Sequence, residues 1–302
     1  MQIIKTAEDI SGALLKHIKK RVDEFQGKQH KDVVIAIPSL FTFKQINATR
    51  AAATIAGWQN IHFIPEPVAA ALVYCTKQDV KNNSKIFLFD CGGGTIDVCV
   101  AEVNNEMLTV LHFDGDSYLG GRDYNTLLFH HFHAVLKHKY NIDVMESSKK
   151  YVLMKKCEEI KRTLSIEKKY WLDVSDFDPE KDDDIIPITV EEFRAMSESY
   201  KVRILKVILQ SLDKSNLQKD QINCVFQVGG GCRMPMIKDL LKEVFPTADH
   251  RCVLDPDWVV ANGAALFAYY LNISKIELND ERLATPSYSI PKVQAPFNIE
   301  KN

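Results

Sequence analysis

Two runs of three consecutive glycines limit most strongly how this chain can fold, because a glycine run sits where a backbone turns tightly or approaches another group closely. The first, Gly92, Gly93 and Gly94, joins two apolar runs in KIFLFDCGGGTIDVCVAEV, and a third strand-like run, MLTVLHF, follows. Successive strands with a short glycine connection predict a hairpin or meander. The second, Gly229, Gly230 and Gly231, separates the apolar strand INCVFQV from an amphipathic helix beginning near Pro235. A dinucleotide fingerprint needs GxGxxG opening a helix and a Walker loop needs GxxxxGK followed by Ser or Thr; the sequence contains neither.

Both runs suit an anion. Without Cβ atoms, the amides of Gly92 to Gly94 can surround a polyphosphate, and Asp90 and Asp97 bracket them. Carboxylates beside phosphate repel it unless a cation intervenes, which points to Mg²⁺ held largely through water by Asp90 and Asp97. A plain hairpin with a flexible turn explains the same residues. Glycines between a strand and a helix place amides and the positive helix end at an anion or ribose, although such turns also occur for packing alone.

Around these bends, short β-branched or aromatic runs alternate with longer amphipathic stretches, the pattern of sheets covered by helices. Ile10, Leu14, Leu15, Ile18, Val22 and Phe25 recur at helical period over residues 6–26, and Gly27 stops the run. Strand DVVIAIP, an alanine-rich helix through KQINATRAAATIAGW, the extended NIHFIPEP and the helix VAAALVY follow. Polar TKQDVKNNSK over residues 76–85 marks a boundary.

Composition closes off other classes. With 302 residues and 46% hydrophobic content the chain can bury a sizeable core, and its net charge of -2 provides no field for nucleic acid or anionic membranes. The opening segment has charges every few positions, so it reads neither as a secretion signal nor as a membrane span. Seven scattered cysteines without CxxC pairs read as reduced thiols of a cytoplasmic or nuclear protein. His130, His131 and His133 flank an apolar helical stripe of Leu127, Leu128, Phe132 and Leu136, and read as a helix surface before a metal site. The acidic stretch 173–184 lacks the glycine and terminal glutamate of an EF-hand and reads as a solvated loop.

The blocks IPSLFTFKQINATRAAATIAG, IPEPVAAALVY, FDCGGGTIDV, GDSYLGGRDYN, CEEIKRTLS, VGGGCRMPMI and LDPDWVVANGAALFA stand in order between residues 37 and 268, within a stretch of about residues 5 to 275. In that order and spacing they resemble the nucleotide-binding domain of the heat shock protein 70 family of chaperones. The resemblance implies an α/β, actin-like ATPase fold of two RNase-H-like lobes around a nucleotide cleft. The expected first lobe is residues 1–79, incomplete, with a returning helix at 256–275. The second is 80–255 with a helical cap at 120–197, and 276–302 is an irregular tail.

It also implies ATP or ADP and Mg²⁺ as ligands. The adenosine-contacting positions fall on Glu158, Lys161, Arg162 and Ser165, whose spacing places them on adjacent turns of one helix, although an ordinary charged helix face has the same spacing. The nucleotide loop falls on Gly229, Gly230, Gly231 and Arg233, with Gly231 where the family commonly has serine. Asp257 matches an aspartate near the ribose and could equally cap a helix; Gly263 matches a close-packing glycine. Glu66, Asp90, Thr95 and Asp97 match the hydrolytic positions at water, metal and γ-phosphate.

A further glycine hairpin and a catalytic lysine that the family carries are absent from the 302 residues, so weak or absent ATP hydrolysis is expected of this chain alone, with unpaired strand edges and uncovered apolar faces in the first lobe. Ile46 stands where the family has an arginine linked to J-domain partners. Nucleotide-exchange factors or other cochaperones are the implied protein partners. The alternatives are a nucleotide-independent interaction module that keeps the fold, or a truncated product of a full chaperone.

Overall fold

The computed structural model describes residues 5–77, 80–105, 107–145, 148–252, 255, 258–274 and 288–291. In chain order the elements are α1 (Ala7–Gln26), β1 (Asp32–Ile37), α2 (Phe43–Ile55), β2 (Asn60–Pro65), α3 (Glu66–Lys77), β3 (Ser84–Cys91), β4 (Ile96–Asn104) and β5 (Met107–Asp116). There follow α4 (Gly121–Tyr140), α5 (Lys149–Thr163), β6 (Lys169–Asp173), β7 (Ile185–Thr189), α6 (Val190–Met196) and α7 (Glu198–Lys214). The last are β8 (Cys224–Val228), α8 (Pro235–Val244), β9 (Asp249–Arg251), α9 (Val259–Ser274) and β10 (Tyr288–Pro291). Contacts divide the chain into two compact units, one of residues 1–88, 97–114 and 253–302 and the other of 89–96 and 115–252.

In the first unit the alternation of apolar runs becomes strand, helix, strand, helix. Thr6 and Asp9 form a capping box that starts α1, and Gly27 ends it at φ 67°, a conformation that costs glycine little. Thr42 and Gln45 cap α2 in the same way. β1 and β2 pair in parallel from Asp32 opposite Asn60 to Ile37 opposite Pro65. Ala53, Trp58 and Phe63 form a core with Ile37, and the partly buried Ile46 packs on it. The residue expected as an arginine therefore serves as an apolar contact here. α3 lies along α9, which also packs on β1. β3 up to Leu88, β4, β5 and β10 complete this unit in the order β10-β5-β4-β3.

Among the described residues β1 pairs only with β2, a strand count too small to bury both faces of a parallel sheet. Beside β1 runs a groove of about 1280 Å³, lined by Leu15 and Ile18 of α1, Val34 and Ala36 of β1, and Ala264 and Ala268 of α9. Only Gly12 of α1 is fully buried, against Ala52 and Ile55 of α2, while Ile10, Leu14 and Phe25 are exposed. The helical period predicted α1 correctly, but its apolar stripe is largely uncovered.

In the second unit the final three residues of β3 lead the order β3-β8-β9, with β8 and β9 parallel. α4 and α5 pack together, and the hairpin β6–β7 precedes α6 and α7. Leu128, Phe129, Phe132 and Leu136 are the buried face of α4, so Phe129 takes the place anticipated for Leu127. His130 is exposed and His131 and His133 are half-buried. Among the described residues no cluster of His, Cys, Asp and Glu could hold a metal by itself. The acidic stretch folds on itself: Asp173 accepts from the Ser175 amide at 2.8 Å, and Asp176 pairs with Lys156 at 2.7 Å. Cys75, Cys91, Cys99, Cys157, Cys224 and Cys232 are buried thiols outside any disulfide, and Cys252 is an exposed one. Among the described residues no helix is long and apolar enough to cross a membrane.

Candidate functional site

β3 is buried along nearly its whole length, and its C-terminal end delivers Asp90 and Cys91 to the first glycine bend. The bend closes when the Gly92 amide donates to the Thr95 carbonyl at 3.1 Å. It is then held from outside by the start of α4, where the Gly121 amide donates to Gly92 O at 2.9 Å and the Arg122 amide to Gly93 O at 2.8 Å. The approach is close enough that a Cβ on Gly120 would lie 2.6 Å from the Gly94 nitrogen. Those bonds fix the carbonyls and leave the Gly93 and Gly94 amides without a partner among the described residues.

The second glycine bend packs on the same strand end. Gly229 has φ 81°, and a Cβ there would overlap the Cys91 carbonyl and come within 2.6 Å of Asp90 Oδ1. A Cβ on Gly231 would overlap Cys91 Sγ, whereas one on Gly230 would meet nothing within 4 Å. Residues Gly230 to Arg233 form a single 3₁₀ turn before Pro235 opens α8, and Arg233 is exposed. Two bends 135 residues apart in sequence are thus gathered around Asp90 and Cys91. Burial, then the Asp90 charge, pushes the Cys91 thiol up to about 12, so it is a packing group and no nucleophile.

α5 carries the predicted adenosine contacts. Glu158 and Arg162 pair with each other at 2.6 Å on an exposed face, the usual i,i+4 arrangement. Lys161 is half-buried, and its Nζ donates to Gly121 O at 2.8 Å, which ties α5 to the first turn of α4. Burial holds the Lys161 ammonium below its usual range, with Glu158 opposing that shift. Ser165 lies beyond the helix, because α5 ends at Thr163 and the chain tightens into a turn in which the Ser165 amide donates to Arg162 O at 3.1 Å. Its hydroxyl donates back to Lys161 O at 3.3 Å.

The remaining predicted residues belong to the first unit or border it. Thr95 is half-buried at the end of the bend. Asp97 is buried and accepts from the Ser39 amide at 2.8 Å. The Ser39 hydroxyl is sealed from solvent and has no partner among the described residues. A buried carboxylate beside an orphaned hydroxyl fits a hydrated hard cation better than an apolar core, so the residues present suit Mg²⁺ held through water. Glu66 opens α3; burial, then the Asp97 charge, pushes its carboxyl up to about 7. Asp257 lies outside the described residues.

The Glu66 shift has a consequence for stability. Its ordinary value is near 4.5, so between that value and about 7 the folded chain binds more protons than the unfolded one, and stability falls as pH rises through this window. The slope from one such group reaches about 1.4 kcal/mol per pH unit. Urea unfolding at about pH 5 and about pH 8 should show Glu66→Gln losing this part of the pH dependence. A parent-like decline in the variant would remove Glu66 as its source.

Sequence reasoning missed three residues: Ser39 as the partner of Asp97, and Gly120 and Arg122 as the clamp on the first bend. The signal for the clamp was present in GDSYLGGRDYN, where a glycine pair stands immediately ahead of an amphipathic run. A family model described as Hsp70 protein matches residues 4–290 of the chain. A heat shock cognate HSP70 protein from Trypanosoma brucei brucei is 31% identical over 268 residues, covering 88% of this chain and 40% of that protein. The chain therefore spans less than half the length of this curated relative.

Proposed function

The chain belongs to the Hsp70 family and so carries an actin-like ATPase fold, and from that premise we propose that it binds ADP or ATP with Mg²⁺ and hydrolyses ATP weakly or not at all by itself. The observation that carries the reading is the packing of Gly229 and Gly231 onto Asp90 and Cys91, immediately ahead of the unfilled amides of Gly93 and Gly94. Amides at bends and a helix N-terminus suit phosphate oxygens. In this reading Glu158, Lys161, Arg162 and Ser165 face the nucleoside, Gly229, Gly230, Gly231, Arg233 and Asp257 its ribose and phosphates, and Thr95 the terminal phosphate. Asp90 and Asp97 would hold Mg²⁺ through water, and Glu66 would orient the attacking water. The metal, when bound, neutralises phosphate charge. Lys161 sets the height of the α4 amides through Gly121 O.

The lobes of this reading are residues 1–79 with 256–275, and 80–255 with a cap at 120–197. A role in protein folding under stress, with nucleotide-exchange factors as partners and a cytoplasmic location, belongs to the same proposal. Phosphoryl transfer depends on positioning and charge neutralisation, and each lost transition-state charge costs about 2–4 kcal/mol. Calorimetry with ADP and Mg²⁺ tests the binding. Heat in the parent, and affinity about tenfold weaker in Lys161→Ala, are expected. No heat from the intact chain would leave an interaction module without nucleotide as the better account. A phosphate-release assay giving rapid Mg²⁺-dependent turnover would refute the weak-hydrolysis part.

A further inference from the structure

Arg122 is the second residue of α4, a place where the helix dipole disfavours a cation. Its guanidinium does not extend away from the bend. Nε lies 3.7 Å from where a Cβ of Gly93 would stand, and Nη1 lies 3.9 Å from that of Gly94. Among the described residues no carboxylate or carbonyl accepts from it, whereas Lys161 has Gly121 O and Arg162 has Glu158. The adjacent acid, Asp123, is engaged by the Gly120 amide at 2.7 Å. A planar group with five donors therefore lies beside Gly93 and Gly94, whose amides have no partner among the described residues, at the N-terminal end of a twenty-residue helix. None of these donors has an acceptor among the described residues. Arg122 is exposed, so water solvates its charge and the guanidinium stays open to an anion at the bend.

We propose that Arg122 is a phosphate-binding and specificity-determining residue, which grips the polyphosphate of a nucleoside di- or triphosphate over the Gly92–Gly94 bend. This rests on the nucleotide reading above. A guanidinium matches two phosphate oxygens with parallel N–H donors, while a lysine in its place would act as a point charge. Discrimination between nucleoside and nucleotide follows: the arginine contributes only when phosphates are present.

Calorimetry of the full chain with ADP–Mg²⁺ and, separately, with adenosine decides this. Arg122→Ala is expected to weaken ADP binding about tenfold and to leave adenosine binding unchanged, with Arg122→Lys between parent and alanine variant. The salt dependence of ADP affinity should fall in the alanine variant. Equal ADP affinity in parent and Arg122→Ala would overturn the role of Arg122 while leaving nucleotide binding intact. Equal losses for ADP and adenosine would also overturn it, since they mark a disturbed α4. A parent that binds neither compound would instead defeat the nucleotide reading on which the inference rests.

Discussion

Replacing Gly263 by alanine is expected to be the most damaging single-methyl change in this chain. Gly263 lies in α9 where that helix meets α3, and a Cβ there would overlap the Ala69 carbonyl and stand 2.7 Å from Ala69 Cα. The obstacle is backbone in the middle of a helix, so no side-chain rotation relieves it. α3 cannot retreat either, because Val68 to Cys75 are all buried. The helices must separate along their length or α9 must shift register, at a cost of about 3–5 kcal/mol, beyond ordinary overpacking. Thermal unfolding should drop by roughly 10 °C. Gly230→Ala is the matched control: a Cβ there meets nothing within 4 Å, and its φ is not in the left-handed region, so stability should stay within about 0.5 kcal/mol of the parent. Equal stability of both variants would mean that α3 and α9 are not in close contact.

The contrast between these glycines also marks what the sequence could disclose. Period and punctuation located the elements: Gly27 ends α1, and the hairpin β3–β4 and the strand-to-helix passage from β8 to α8 follow the two triglycine runs. Spacing could not separate Gly230 from Gly229 and Gly231, because all three read as turn residues and only the tertiary approach of Cys91 distinguishes them. Periodicity likewise found the apolar stripe of α1 without revealing that Ile10, Leu14 and Phe25 stay exposed, since a stripe records what a helix could bury and not what is there to cover it. The Ser165 hydroxyl lies just past the helix that the spacing implied, because helix ends depend on the last hydrogen bonds and not on the side-chain pattern. Ser39 and Arg122 were invisible for a different reason. Each acts through a backbone amide on a residue far along the chain, and such a bond leaves no composition or period behind.

The glycine at 231, where the resembled family commonly has serine, leads to the second large effect. A Cβ at 231 would overlap Cys91 Sγ, lie 3.0 Å from Cys91 Cβ and lie 2.8 Å from the Cys91 carbonyl oxygen. Cys91 is fully buried at the end of β3, so its side chain has nowhere to go. Gly231→Ser should therefore cost about 2–3 kcal/mol through overpacking, even though serine adds a hydroxyl that could reach a ligand. Part of the conflict lies in the sulfur and part in the backbone. Cys91→Ala removes the first and leaves the second, so the double variant should recover part of the loss but not all. Urea unfolding of the four proteins in a double-mutant cycle should give a favourable coupling of about 1–2 kcal/mol between the two changes. Additive effects would show that Gly231 does not rest on Cys91. The two glycine bends would then lose the contact that gathers them at one strand end, and the nucleotide reading would lose its principal support.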